Sequence, residues 1–232
     1  MPELPEVQTI VNGVKSKIMN LKILQFKNST DKLRYPIPKN LPLKVEGKKV
    51  INVQRRAKYI IINLSNSISL VIHLGMSGRI IILDNENKIT FKHTHICINF
   101  TQKFTLQFID PRKFGYIFVT KTESLSNNKF FKNLGVEPLG KELNASYIKK
   151  VTLKKNAPIK NILMNQKYVV GVGNIYASEA LFMSGINPLK PGNDLTLYEC
   201  NKLMRAIKNV LKKSIKLGGS SINDHTMISG KM

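Results

Sequence analysis

Tryptophan is absent from the 232 residues, cysteine occurs twice, and acidic side chains are scarce, 14 against 37 Lys+Arg. Cys97 and Cys200 lie far apart and outside any C-x-x-C, so they build neither a disulfide framework nor a thiolate zinc site. Both read as ordinary buried thiols. Histidine is also rare: His93 and His95 have the spacing to share one strand face and hold a metal, but no third ligand lies nearby in sequence, so the pair is read as non-metal. No apolar run approaches the roughly 18 residues a membrane span needs. The opening Met1-Pro2-Glu3-Leu4-Pro5-Glu6 is acidic where a signal peptide is basic. A cytoplasmic chain with no membrane partner is expected.

What is present is charge and enough apolar surface to fold. The formal net charge is +23, and 42% hydrophobic residues supply a real core rather than a disordered basic tail. The excess points to a polyanionic partner only weakly, because Lys, Asn and Ile abound together and such a bias can arise from base composition. The rarer arginines, Arg34, Arg55, Arg56, Arg79, Arg112 and Arg205, are the more informative cations.

Val7, Ile10, Val11, Val14 and Ile18 fall on one face of a helix, with Pro5 in its first turn. Short β-rich runs follow at 59–64, 68–74, 79–83, 96–100, 104–109 and 116–120, separated by Asn, Gly, Asp and Ser, which predicts antiparallel sheets packed as a sandwich or flattened barrel. Residues 125–217 read as helical, with a helix over 177–183 ending near Gly185 and a longer one over 196–217 stopped by Gly218-Gly219. The expectation is an α+β chain: an N-terminal domain over 1–125, a helical domain over 126–218, and a tail over 219–232, hinged near 122–128.

The chemistry begins at the terminus. Removal of Met1 would expose the secondary amine of Pro2, and an α-amino group titrates well below a lysine, so more of it is nucleophilic free base at neutral pH. Attack on a sugar C1′ gives an iminium, an electron sink for elimination at C2′. Glu3 and Glu6 lie within a turn of that amine, where one carboxyl can move a proton and another can orient the pair. Ordinary helix capping explains the same acids equally well. Four further segments bear on the choice. Gln54-Arg55-Arg56-Ala57-Lys58-Tyr59 sets three cations just before a strand, and His73-Leu74-Gly75-Met76-Ser77-Gly78 is a glycine-flanked turn. Asp110-Pro111-Arg112-Lys113-Phe114-Gly115 carries an Arg and an aromatic. In Gly171-Val172-Gly173-Asn174-Ile175-Tyr176-Ala177-Ser178-Glu179, two glycines let backbone approach a ligand at a helix start that favours an anion such as phosphate.

Together, in this order, these stretches resemble the signatures of the formamidopyrimidine-DNA glycosylase family across nearly the whole chain. The resemblance implies a β-sandwich domain followed by a helix-two-turn-helix domain. It implies a base-excision repair enzyme that removes oxidised purines such as 8-oxoguanine and formamidopyrimidines from double-stranded DNA, then nicks the strand by β,δ-elimination. It makes Pro2 the Schiff-base nucleophile, Glu3 the general acid/base and Lys58 a participant in elimination or a phosphate ligand, with Glu6 and Glu179 in support. Met76, Arg112 and Phe114 match residues that fill the gap left by the flipped nucleotide. His93, Arg112, Lys155, Lys160 and Asn174 match DNA contacts, and Gly219-Ser220-Ser221 the start of a loop closing over the flipped base. Without the resemblance, Met76 and Phe114 read as core residues at strand ends, Lys155 and Lys160 as solvated charges, and the glycine-serine run as a helix cap.

The family pattern continues into a zinc-finger hairpin with two C-x-x-C pairs, for which the sequence ending at Met232 has no ligands. No cofactor is therefore expected, nor a partner beyond damaged DNA, for a monomer acting in the bacterial cytoplasm at the nucleoid. Loss of that second clamp predicts weakened DNA binding. The alternatives are the sister branch acting on oxidised pyrimidines, against which Leu4 and the 110–115 turn argue, and an inactive DNA-binding remnant.

Overall fold

The computed structural model describes residues 1–84 and 90–219. The chain divides into two compact units, one holding residues 1–2 and 6–128 and the other residues 3–5 and 129–219 of those described. The division falls after residue 128 rather than 125. A one-turn 3-10 helix at Thr122–Ser124 and the bonds Leu125 N–H to Thr122 O and Asn128 N–H to Leu125 O carry the chain in tight turns directly off the preceding strand.

Helix α1 (Leu4–Ile18) buries Val7, Ile10, Val11, Val14 and Ile18, the stripe expected from the 3.6-residue period, and ends in Lys15 and Lys17, whose charge suits a helix C-terminus. Among the described residues eight strands follow: β1 (Ile23–Asn28), β2 (Val50–Arg56), β3 (Tyr59–Leu64), β4 (Ile68–His73), β5 (Arg79–Asp84), β6 (Thr94–Phe100), β7 (Phe104–Ile109) and β8 (Tyr116–Lys121), with the short helix α2 (Leu41–Val45) between β1 and β2. They form two antiparallel four-stranded sheets, ordered β1-β6-β7-β5 and β2-β3-β4-β8. Alternate residues from both sheets, among them Ile60, Ile62, Leu70, Ile72, Ile98, Phe100, Leu106 and Phe108, join the α1 stripe in one core.

The strands β1 and β2 and the helix α2 have no counterpart in the sequence pattern. In β1 the register shifts between Ile23 and Gln25, and in β2 between Val50 and Asn52. The buried positions therefore become Ile23 and Phe26, and Val50 and Val53. A bulge turns a period of two into a spacing of three and hides the strand signal. Arg55 and Arg56 close β2 and Ala57-Lys58 forms the hairpin turn, so the three cations stand just before β3 as expected and end a further strand as well.

The second unit is helical, but not from residue 125. The first helix is α3 (Ala145–Thr152), because Gly135, Pro138 and Gly140 break the preceding stretch into turns. Then come α4 (Ile159–Met164), α5 (Asn174–Ser184), capped by Gly185 at φ 66°, and α6 (Leu197–Leu217). Helix α6 starts with a capping box, Thr196 and Glu199 bonding each other's backbone N–H, and stops at Gly218 in left-handed conformation. Its inner face, Cys200, Leu203, Ala206, Ile207, Val210 and Leu211, packs in one cluster with Ala177, Ala180 and Leu181 of α5 and Ile148 of α3. No helix among the described residues is long and apolar enough to cross a membrane.

Candidate active site

In the first unit, the functional turns gather at one end of the sandwich around a carboxylate that sequence reasoning missed. Asp110 is fully buried; its Oδ1 accepts from Ser77 Oγ (2.6 Å) and its Oδ2 from Gly115 N–H (2.7 Å). Its backbone N–H donates to His93 O, and its carbonyl lies 3.0 Å from His95 Nε2. One side chain thus ties the 75–78 turn to the 110–115 turn, and its backbone adds the 93–95 segment. The Asp-Pro pair at 110–111 was the available signal, since Asp favours turns that it closes with its own side chain. The result is exposure of the side chains the family resemblance singled out: Met76 is 46% and Phe114 39% exposed, so neither is core. The Arg112 guanidinium stacks 4.6 Å from the Phe114 ring centroid, giving a planar cation and an aromatic one shared outward face. His93 is exposed beside them with φ 65°. It sits before β6 in left-handed backbone, while His95 lies within that strand and is buried, so the two do not alternate on a regular strand.

Behind these turns lies a second group that the sequence did not single out. The Tyr59 and Tyr116 hydroxyls are 2.9 Å apart, and the His73 ring stacks on Tyr116 with centroids 4.9 Å apart and planes inclined by 15°. Gly75 N–H donates to His73 Nδ1 at 3.0 Å, which places the proton of a neutral ring on Nε2. Burial, then the nearby charges of Lys58 and Arg34, bring the His73 pKa down to about 4. Burial also raises both tyrosines, so the cluster is neutral through the physiological range. Lys58 itself is buried in the β2–β3 turn, and Glu6 in α1 is 4% exposed. Pro2 is buried and Met1 56% exposed.

The second unit corrects the reading of the glycine-rich stretch. The anion at the start of α5 is the chain's own: Glu3 Oε2 accepts from Gly173 N–H (2.6 Å) and Oε1 from Ile175 N–H (3.0 Å). The N-terminal N–H groups of a helix lack intrahelical partners and carry partial positive charge, so a buried carboxylate is well placed there. Glycine is required at both approaches. A Cβ on Gly173 would lie 2.5 Å from Glu3 Cδ, and one on Gly171, already at φ 78°, 2.7 Å from Leu4 Cβ. Gly171 O also accepts from Leu4 N–H at 3.0 Å. Gln166, absent from the sequence reading, shapes this loop: its Oε1 accepts from Gly171 N–H (2.7 Å) and its Nε2 donates to Val172 O (2.8 Å). Asn174 opens α5 and Glu179 lies midway along it, both exposed. Lys160 is in the first turn of α4, and Lys155 lies 4.8 Å from the Tyr168 ring centroid. Gly219 N–H donates to Ser214 O, whereas Ser220 and Ser221 lie outside the described residues.

The family's zinc finds no ligand set among the described residues. Cys97 lies in β6 and Cys200 within α6, and no three His, Cys, Asp or Glu side chains of those residues gather to hold a metal.

A sandwich whose turns present Arg and an aromatic, a helical unit that clamps the carboxylate following Pro2 in the chain, and the sequence itself all place the protein in one family. Residues 1–117 match the formamidopyrimidine-DNA glycosylase N-terminal domain and residues 134–226 the H2TH domain of the same enzymes. The chain belongs to the formamidopyrimidine-DNA glycosylase family. It is 45% identical over 230 residues to the formamidopyrimidine-DNA glycosylase of Wolbachia pipientis subsp. Culex pipiens (strain wPip), covering 99% of this chain and 84% of that protein. Against the enzyme of Rickettsia bellii (strain OSU 85-389) it is 44% identical, covering 97% and 81%. Among solved structures it resembles the wild-type Lactococcus lactis Fpg in complex with N7-benzyl-Fapy-dG containing DNA (TM-score 0.90, 31% identity, 100% of this chain and 85% of that one). The Lactococcus lactis Fpg in complex with an abasic site containing DNA is similar too (TM-score 0.88, 30% identity, 95% and 81%).

Proposed function

We propose that this chain is a base-excision repair enzyme of the bacterial cytoplasm, a DNA glycosylase and AP lyase that removes oxidised purines, 8-oxoguanine and formamidopyrimidines among them, from duplex DNA. The observation that carries it is Glu3: a carboxylate 2% exposed, fixed by two backbone N–H groups, one residue after the amine that Pro2 acquires when Met1 is removed.

The Pro2 nitrogen attacks C1′ of the lesion nucleotide and the glycosidic bond breaks, the base leaving with a proton. Cleavage of C1′–O4′, with Glu3 delivering the proton to O4′, gives the iminium. Loss of a C2′ proton then expels the 3′-phosphate, and a second elimination expels the 5′-phosphate. Water hydrolyses the remaining iminium and returns the amine. Lys58 holds a phosphate beside the lesion or moves a proton during elimination, and Glu6 and Glu179 support the site. Met76, Arg112 and Phe114 fill the stack vacated by the flipped nucleotide, where planar and apolar groups offset unstacking of about a few kcal/mol. His93, Lys155, Lys160 and Asn174 contact the backbone, which positions DNA without reading its sequence. An amine, carboxylates and a lysine suffice for each of these steps.

Borohydride trapping tests this reading. Incubation with a duplex carrying 8-oxoguanine opposite cytosine, followed by reduction, is expected to yield a covalent adduct that peptide mass spectrometry places on an N-terminal Pro2. Binding without an adduct would instead identify an inactive DNA-binding remnant. Preferential trapping on oxidised pyrimidines would move the chain to the sister branch.

A further inference from the structure

The first unit carries a second concentration of positive charge, at the end of the sandwich away from Lys58, Met76, His93 and Arg112. Strands β2, β4 and β8 run between the two ends. Arg56, His73 and Tyr116 mark the functional end, and Val50, Ile68 and Lys121 the other. Strands of 6 or 7 residues separate these ends by roughly 20 Å at about 3.3 Å per residue. Helix α1 terminates at that far end, delivering Lys15 and Lys17 in its last turn.

There Lys22 and Lys49 are direct partners in an antiparallel bridge, and both are exposed. Like charges placed opposite each other across strands are destabilising, so the fold tolerates a local cost here. The pair is anchored on both sides. Lys22 exchanges bonds with Thr101, its N–H donating to Oγ1 and its carbonyl accepting from the Thr101 N–H, while Lys49 N–H donates to Ser65 Oγ. Lys17 Nζ lies 5.7 Å from the ring centroid of Phe104, three residues beyond Thr101. Lysines from α1, from the segment before β1 and from the segment before β2 thus converge on one surface. Of the carboxylates at this end, Glu46 accepts from Phe26 N–H and Glu123 pairs with Lys121 at 3.8 Å, while exposed Asp84 lies opposite Phe104 in the β5–β7 ladder, so the lysines outnumber the acids around them.

From this we infer that Lys17, Lys22 and Lys49, with Lys15, form a second binding face for the phosphodiester backbone of a nucleic acid, letting one molecule hold a second duplex while the functional turns engage the first. The inference rests on the proposed function only for what occupies the first end. Backbone phosphates suit the face because exposed lysines without a shaped pocket recognise charge rather than sequence, and counterion release supplies the affinity.

The test uses the full chain trapped by borohydride on a lesion duplex, titrated with a second, undamaged duplex bearing a different fluorophore. The trapped protein is expected to bind the second duplex with a log–log salt slope that becomes shallower by about 0.9 for each phosphate contact removed. Lys22→Glu should weaken that binding roughly tenfold while leaving the trapping yield unchanged, and Lys22→Arg should preserve it. Lys22→Glu should also raise Tm, since it converts a like-charge pair into an opposite one. A rise in Tm with unchanged second-duplex binding would overturn the inference and leave these lysines as solvated charge. So would a trapped complex that binds no second duplex. If trapping itself fails, co-sedimentation of two differently labelled undamaged duplexes with wild type, and its loss with Lys22→Glu, decides the inference independently of the proposed chemistry.

Discussion

Asp110 in the first unit and Glu3 in the second are the same physical solution put to different uses. Each is a carboxylate almost wholly removed from water, 0% and 2% exposed, and each is satisfied by short bonds from backbone N–H groups, Asp110 also by a serine hydroxyl. Burial of a carboxylate is tolerable only with such donors. Asp110 uses its oxygens to hold two turns together, so its benefit is the outward presentation of Met76, Arg112 and Phe114. Glu3 is held by a helix start and follows Pro2 in the chain, so under the proposed function its benefit is a proton carrier that does not need to reorganise during the reaction. Burial and bonding alone do not distinguish a structural carboxylate from a catalytic one; the proposed role of Glu3 rests on its place beside Pro2.

Substitutions should separate the two roles. The largest effect is expected from Glu3→Gln, which keeps the shape and removes the proton carrier. Single-turnover excision should fall by about 10²–10⁴-fold, with lesion binding retained. A rate within a few-fold of wild type would make Glu3 structural, like Asp110. Asp110→Ala should reverse the pattern. With Gly115 N–H and the Ser77 hydroxyl left without their acceptor, urea denaturation should show a loss of about 3 kcal/mol, and lesion affinity should drop, while the rate on saturating DNA changes little. A rate defect without a stability defect would collapse the comparison.

The smallest effect concerns the neutral cluster behind the turns. His73 has a folded pKa of about 4 against 6.5 unfolded, so between those values the unfolded chain binds the extra proton. Stability from this group is fully present above pH 6.5, is lost as pH falls toward 4, and changes no further below. The loss amounts to about 3 kcal/mol at most. Denaturation at a series of pH values should show this slope in wild type and a flatter one in His73→Gln.

Much of this architecture was legible locally. Strands β3 to β8 follow from their short β-rich runs and turn residues, α1 shows a clean apolar stripe, and Gly185 and Gly218 mark helix ends as left-handed caps. Where the reading failed, a local rule was overridden by an identifiable feature. Bulges disguised β1 and β2, and scattered apolar residues between Leu125 and Asn144 suggested helix although Gly135, Pro138 and Gly140 forbid one. The residues proposed for the site were named from the sequence as types, an amine, two acids, a lysine and an Arg–Phe turn. Asp110 and Gln166 were not, because their importance lies in what they bond.

The sequence by itself determined the β-rich runs of β3 to β8, the stops of the helices, the excess of positive charge and the juxtaposition of Pro2 with Glu3, since all depend on composition or on neighbours within a few residues. Only the tertiary structure decided that the glycine-rich start of α5 receives Glu3 rather than an outside phosphate, a bond between residues 170 positions apart. It also decided that His73 is neutral and that Lys22 faces Lys49. These outcomes depend on which distant segments the closing core brings together, and on the water that closure removes, neither of which any local periodicity records.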